Sequence, residues 1–288
     1  MLVGKIVLKF LPFSFYHKLR SLYRNANKLL HKPLEEAEFM RFLNERMQIK
    51  VGDVVFVHSS IDKLNITFTP HKLLEILLQA VGPEGTLLFP TWHFNYRAED
   101  YLKKDLVFDV RRSPSVLGML SEVARRHPAA KRSLHPTSSI AAIGPKADYL
   151  LSSHHLSEYP CGESSPFFKM MEFNAKIIGL GTKTEFLSFV HCPEDVMKSA
   201  FPYPVRNPEV SKSKVRDYNG NIIEVETLSA NKAIGKRDIP GYVKLQIPKA
   251  IAEDFRYMGN DFFRVNAKEL FEKITDLAME GITIYGKF

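Results

Sequence analysis

The chain has 288 residues, 45% of them apolar and 25% charged, with a formal net charge of +8. That length carries one large domain or two smaller ones, and the composition excludes a disordered or fibrous chain. Two cysteines, Cys161 and Cys192, make neither a disulfide framework nor a zinc pattern, so a cytoplasmic, reducing setting is expected. A basic surface favours anionic partners, but no basic run interleaved with aromatics occurs, so nucleic acid is not an expected partner.

Residues 1–31 stand apart. Leu2, Val3, Ile6, Val7, Phe10 and Leu11 alternate with Lys5 and Lys9, and Tyr16, Leu19, Leu22 and Tyr23 face Lys18, Arg20 and Arg24. This reads as a basic amphipathic helical extension around Pro12. Such an arm docks on an anionic membrane face as a peripheral contact, or packs on its own body or on a second subunit, which leaves a homodimer open. The stretch is too short and too charged to span a bilayer, and no small-residue cleavage site follows it.

Leu34, Phe39, Phe42, Leu43 and Met47 share one face and predict a helix over 34–48. Gly52-Asp53 then leads into Val54-Val55-Phe56-Val57, an apolar run suited to a buried strand. His58-Ser59-Ser60 follow it, where open α/β sheets bind ligands. Pro70 with Leu73, Leu74, Leu77 and Leu78 predicts a helix over 70–80. Gly82-Pro83-Glu84-Gly85 turns into a second strand at 86–89, followed by Pro90-Thr91-Trp92-His93-Phe94. Residues 97–112 are charged and loop-like. Ser113-Pro114 opens a predicted helix reaching about Arg126, with Glu122 inside it. A strand at 140–143, helices near 147 and 166, and a strong strand at 175–180 come next. Past residue 200 the pattern changes: alternation around Asn219-Gly220-Asn221 predicts a hairpin, and a helix at 267–280 with a strand at 282–285 closes the chain. The fold class is α/β, a central mixed sheet flanked by helices, with a β-rich C-terminal insertion and the N-terminal extension. The blocks are 1–31, 32–200 and 201–288.

Two stretches carry chemistry. Arg132-Ser133-Leu134-His135-Pro136-Thr137-Ser138-Ser139 puts a guanidinium, an imidazole and four hydroxyls into one stiff loop, a donor set suited to phosphate. Ser188-Phe189-Val190-His191-Cys192-Pro193-Glu194-Asp195 places a histidine just outside a predicted helix start, with Cys192 as cap and Pro193 in the first helical position. A neutral imidazole there could serve as a general base, oriented by Glu194 or another carboxylate. No His-Glu-x-x-His spacing occurs, so no metal is expected, and a metal hydrolase built on His58, His93, His135, His154, His155 and His191 is disfavoured.

The order of these motifs resembles that of the aminoglycoside 3-N-acetyltransferase family, CoA-dependent N-acyltransferases not built on the common acetyltransferase fold. The resemblance runs through Gly52-Asp53 with His58-Ser59-Ser60, Phe89-Pro90-Thr91, Phe108-Asp109, Ser113-Pro114-Ser115 with Gly118 and Glu122, Arg132-Ser133 with His135-Pro136 and Ser138, Gly162-Glu163 with Ser165-Pro166, Gly179-Leu180-Gly181, and Ser188 with His191 and Glu194. It implies transfer of an acyl group, acetyl as the first choice, from acyl-CoA to the amine of an amino sugar. It assigns His191 as base, with Glu194 and Ser188 beside it in the catalytic group. It assigns His58, Ser59, Ser60, Arg132, Ser133, His135 and Ser138 to the coenzyme, the last four to its phosphates. Asp109 and Glu122 fall to the acceptor side or to support of the base, and residues 32–200 become the acyl-CoA-binding core with 201–288 completing the acceptor site. Ser188 stands where the family has threonine, which keeps the hydroxyl.

The aromatic cluster Trp92, Phe94 and Tyr96, with His93, suits stacking on a sugar or base. The net charge of +8 argues against polycationic aminoglycosides and for an anionic acceptor, so a nucleotide-linked amino sugar destined for surface polysaccharide is expected. Aminoglycoside acetylation, as in antibiotic resistance, is the alternative, and a non-catalytic polysaccharide-assembly protein is a second.

Overall fold

The apolar runs read as strands lie side by side in the centre of the molecule, and the helices cover both faces of the sheet they form. A computed structural model describes residues 30–287 apart from 233, 235 and 236. The arm expected over 1–31 therefore lies outside the described residues, Leu30 and His31 excepted. Among the described residues no helix is long and apolar enough to cross a membrane.

In chain order the elements are α1 (Glu36–Glu45), β1 (Val54–Ser59), α2 (Pro70–Val81), β2 (Thr86–Pro90), α3 (Ala98–Leu102), β3 (Val107–Asp109), α4 (Met119–Arg125), β4 (Lys131–Arg132), β5 (Ile140–Ile143), α5 (Ala147–Leu151), α6 (Pro166–Lys169), β6 (Lys176–Leu180), α7 (His191–Met197), β7 (Arg206–Arg216), β8 (Ile222–Ala230), α8 (Ile239–Gln246), β9 (Ala252–Tyr257), β10 (Asn260–Asn266), α9 (Ala267–Met279), β11 (Ile282–Thr283) and β12 (Gly286–Lys287). Seven strands form one mixed sheet in the order β4-β5-β2-β1-β6-β10-β9. Its middle, β2-β1-β6, is parallel, and the flanking pairs are antiparallel. A second sheet, β3-β7-β8, carries the hairpin.

Period-two alternation splits each central strand between two cores. Val54 and Phe56 of β1 join Leu88, Ile177 and Phe263 under α9. Val55 and Val57 face the other way and join Leu87, Phe89, Ile178 and Leu180 under α1, α2 and α4. Both faces being covered explains the unbroken apolar runs of β1 and β2. Gly179 of β6 pairs directly with Phe263 of β10, and a Cβ there would overlap the Phe263 ring, so the strand needs a glycine at that register position.

The local signals behave as physical chemistry requires. The Thr69 hydroxyl accepts from Lys72 N at 3.2 Å, Pro70 opens α2, and Gly82 at φ +65° ends it. Asp217 and Gly220 close the β7–β8 hairpin, Asp217 Oδ1 accepting from the backbone N–H of Asn219 and Asn221 at 2.8 Å each. Three expectations change. The helix expected from Ser113 starts only at Met119, because Gly118 sits at φ +104° and the Glu122 carboxylate reaches back to Ser115 N at 2.7 Å, holding 113–118 as a loop. Helix α7 begins at His191 itself, so Cys192 is not its cap and Pro193 is the third helical residue, two positions further into the first turn than expected. Strands β9 and β10 were not expected from the pattern, and they extend the main sheet from the C-terminal third of the chain.

Candidate active site

Strands β1, β2 and β6 all end at the same edge, and a cavity of about 1030 Å³ opens there. That is the ligand-binding edge of an open α/β sheet. Its volume is at the upper end for small-molecule pockets, enough for two substrates together. His58, Ser59 and Ser60 line it from the end of β1, Trp92 from just past β2, Thr137 and Ser138 from the loop after β4, Thr182 and Ser188 from beyond β6, and His191 and Glu194 from α7. The β7–β8 hairpin and the chain after it close the far side with Arg206, Lys232 and Arg237.

One imidazole on this wall has both nitrogens engaged. His191 Nδ1 lies 2.6 Å from Glu194 Oε2, and His191 Nε2 lies 2.7 Å from Arg237 Nη1. A guanidinium has donors and no acceptor, and an ionised carboxylate has acceptors and no donor. Nδ1 therefore carries the proton and Nε2 the lone pair, an assignment forced by counting donors. Glu194 is 2% exposed, and the Tyr285 phenol beside it is pushed above its ordinary range by burial and by the Glu194 charge. The next residue of α7, Asp195, is fully buried and grips Arg206 with two bonds, Nε to Oδ1 at 2.6 Å and Nη2 to Oδ2 at 2.7 Å. Asp195 Oδ2 also accepts from Cys161 N at 2.8 Å. Burial disfavours the Arg206 charge, but the Asp195 carboxylate outweighs it and holds that guanidinium above its usual pKa.

Among the uncharged side chains on this wall, His58 Nε2, Trp92 Nε1, Thr182 Oγ1 and Ser188 Oγ are buried without a hydrogen-bond partner. Buried polar groups are normally satisfied, so these mark where a ligand bearing amides and hydroxyls belongs. The donor set fits the amide-rich arm of a coenzyme A thioester.

The loop expected to grip phosphates is only partly on this wall. Ser138 lines the cavity, and so does Thr137, another of the loop's four hydroxyls. Arg132 is 3% exposed and spends its donors internally: Nε on Thr91 Oγ1 and Ser139 Oγ at 3.1 Å each, Nη1 on Ser113 O at 2.6 Å, and Nη2 on Thr91 O. It ties the end of β2 to the 113–118 loop, and it is buried off the cavity wall, out of reach of a bound phosphate. Ser133 and His135 are corrected in the same way. The Ser133 hydroxyl donates to His154 Nδ1 at 2.8 Å, because His154 Nε2–H is already given to Pro160 O, and Ser133 Oγ accepts from Ile140 N. His135 is fully buried, stacks on His154 at 4.5 Å, and accepts from Thr137 N and Ser138 N. It shapes the loop from inside.

The acceptor-side residues also separate. Trp92 lines the cavity, whereas His93 is packed between Phe108 and Tyr101, its ring 4.7 Å and 4.8 Å from theirs. Asp109 accepts from Arg111 N and Arg112 N and holds a turn, and Glu122 holds Ser115 N and Arg125. Neither carboxylate reaches the cavity wall, so Glu194 alone of the three orients His191. Asp195, Arg206, Arg237 and Tyr285 had no signal beyond residue type, since each acts through a contact between distant parts of the chain.

Burial holds His58 and His154 at about 3 and pushes His135 well below its usual value. An unfolded histidine titrates near 6.5. Between those values the unfolded chain binds protons that the folded one refuses, so stability falls as pH falls, by about 1.4 kcal/mol per pH unit for each such group. The stability is complete above about pH 6.5. The urea midpoint is expected to drop steeply from pH 6.5 to pH 5, and a midpoint flat over that interval would refute the buried-neutral assignment.

An imidazole whose Nδ1–H is held by a buried carboxylate, and whose Nε2 lone pair lies on the wall of a large cavity, suits group transfer assisted by a general base. Comparisons with known proteins give the family. A profile of the family described as aminoglycoside 3-N-acetyltransferase matches residues 56–275. Aminoglycoside N(3)-acetyltransferase III of Salmonella sp is 26% identical over 223 residues, 70% of this chain and 78% of that protein. Aminoglycoside N(3)-acetyltransferase IV of Salmonella sp is 32% identical over 156 residues, 53% and 56% of the two chains. The crystal structure of aminoglycoside acetyltransferase AAC(3)-Xa superposes with a TM-score of 0.75 at 20% identity, covering 92% of this chain and 99% of that one. A structure of AAC-IIIb with CoASH superposes with a TM-score of 0.69 at 20% identity, covering 84% and 95%. The chain belongs to the aminoglycoside 3-N-acetyltransferase family. It is an acyl-CoA-dependent N-acyltransferase.

This overturns the expected nucleotide-linked acceptor and its link to polysaccharide assembly. The matching family and the relatives are aminoglycoside 3-N-acetyltransferases, the reading first placed second. The charge argument failed because net charge is a sum over the whole surface. Screening over about 8 Å leaves the substrate to feel only the groups around the cavity.

Proposed function

We propose that the protein transfers an acetyl group from acetyl-CoA to the 3-amino group of an aminoglycoside. The observation that carries the reading is the His191–Glu194 pair, with its lone pair fixed on Nε2 at the cavity wall of a chain in this family. The amine nitrogen attacks the thioester carbonyl carbon. Nε2 takes the surplus proton from that nitrogen, the C–S bond breaks, and the departing thiolate receives the proton. Glu194 offsets the positive charge of the imidazolium formed in between. Sugar amines titrate near the α-amino range, about 8, so a neutral fraction is available near pH 7.

His58, Ser59, Ser60, Thr137 and Ser138 are assigned to the coenzyme arm, and Ser188 to the reacting centre beside His191. The unpartnered polar atoms of His58 and Ser188 support this. Asp62 and Glu185 line the same cavity and supply carboxylates toward a polycationic drug, while Arg97 supplies positive charge toward the coenzyme phosphates. The test is thiol release from acetyl-CoA with gentamicin, apramycin and sisomicin, and with glucosamine as a single-amine comparison. Saturable release with at least one drug, and the acetyl group located on its 3-amine by NMR, is expected. Release with glucosamine alone, or with none of the four, overturns the reading.

A further inference from the structure

Position Nε2 of His191 has one lone pair, and in this structure Arg237 Nη1 holds it at 2.7 Å. The acceptor amine must reach the same lone pair, at the same distance and in the plane of the same ring, to give up its proton. Two donors cannot share one imidazole lone pair in that plane. We propose that Arg237 is a positioning residue that occupies His191 Nε2 in the free enzyme and yields it to the acceptor amine, so that acceptor and guanidinium compete for one site. The inference rests on the proposed amine chemistry at His191.

The surroundings suit a contact that forms and releases. Arg237 is exposed, and among the described residues its hydrogen bond to His191 is its tie to the cavity, whereas Arg206 nearby is clamped twice by buried Asp195. Glu194 Oε2 is on the opposite side of the ring, so the imidazole keeps its orientation when Arg237 leaves. The guanidinium also works with the neutral ring only. Once Nε2 has taken the proton it is a donor, and Arg237 cannot return until that proton has gone to the departing thiolate. The contact therefore re-forms after turnover and not during it.

Competition of this kind lowers apparent affinity by the fraction of enzyme left open. If about nine molecules in ten hold the contact, removing it tightens apparent acceptor binding by about tenfold. The test is Arg237→Ala in the full chain, read in two ways. In the free protein, diethyl pyrocarbonate attacks an available ring lone pair, and carbethoxylation of His191, followed by peptide mass analysis, is expected to run severalfold faster than in the unaltered protein. In steady state, the KM for the aminoglycoside is expected to fall by about threefold to tenfold with the KM for acetyl-CoA unchanged. The first reading needs no acceptor, so it stands or falls apart from the identity of the substrate. His191 modified at an unchanged rate in Arg237→Ala overturns the proposal. So does a faster rate accompanied by an unchanged or higher acceptor KM. Matching thermal melting curves for the two proteins show that the fold is not the cause.

Discussion

Replacing His191 with alanine is expected to lower the turnover of acetyl transfer by about 10² to 10⁴, the range in which positioned general bases act. The side chain is on the cavity wall and 19% exposed, so its loss leaves the two cores untouched. Acetyl-CoA binding should persist, because the polar atoms assigned to the coenzyme belong to other elements. Glu194→Gln is expected to lose less. The amide oxygen can still accept from Nδ1–H, but the negative charge that offsets the imidazolium is gone. The measurement is thiol release under saturating acceptor, with coenzyme binding followed separately by calorimetry. If His191→Ala keeps turnover within tenfold of the parent, another group removes the proton and the base assignment is wrong.

Removing Asp195 is expected to be the most damaging change for stability. Its carboxylate is fully buried, binds Arg206 through two short bonds and holds Cys161 N as well. In Asp195→Ala the guanidinium, only 15% exposed, stays behind without its counter-charge. Breaking one side of a buried pair costs about 3–5 kcal/mol. Replacing both partners with apolar residues of similar volume, as in Asp195→Leu with Arg206→Met, should recover much of that loss, because no charge is left stranded. Urea unfolding of the single and double variants measures both. A single variant within about 1 kcal/mol of the parent would mean that Arg206 reaches water and that the pair is not what anchors β7 to α7.

The two predictions separate chemistry from architecture on adjacent residues of one helix. His191 and Glu194 face the cavity and meet each other through the i, i+3 spacing of a helical turn. Asp195, one position further round, points to the hairpin and fixes the far wall. A seven-residue helix thus holds the His191–Glu194 pair on one side and, through Asp195, the hairpin that covers the cavity on the other.

Much of this was legible in local pattern. Unbroken apolar runs at 54–57 and 86–89 mark strands covered on both faces, the Asn219-Gly220-Asn221 turn marks a hairpin, and Pro70 behind Thr69 marks a helix start. Each depends on residues a few positions apart, so the chain order contains the information. His191 and Glu194 were readable for the same reason, three residues apart. Strands β9 and β10 are not legible because Glu253, Asp254, Arg256, Asp261 and Arg264 break the apolar pattern, and these charges are tolerated on the edge strand β9 and its neighbour β10, where Arg264 and Glu253 pair at 2.8 Å.

Arg132 shows the limit most clearly. Amino-acid order places a guanidinium beside hydroxyls, and that is equally good for a phosphate and for a backbone carbonyl. The fold chose the carbonyls of Thr91 and Ser113, 41 and 19 positions away, and buried the group. The acceptor was misjudged on the same ground, because a summed charge of +8 says nothing of which carboxylates surround a cavity. The central strands, the helices after β1 and at 267–279, and the His191–Glu194 pair belong to the sequence, since they follow from periodicity and near neighbours. The tautomer of His191, the clamp on Arg206 and the placing of Arg237 on the base belong to the tertiary structure, since each needs groups brought together across at least ten positions by the packing of the sheet.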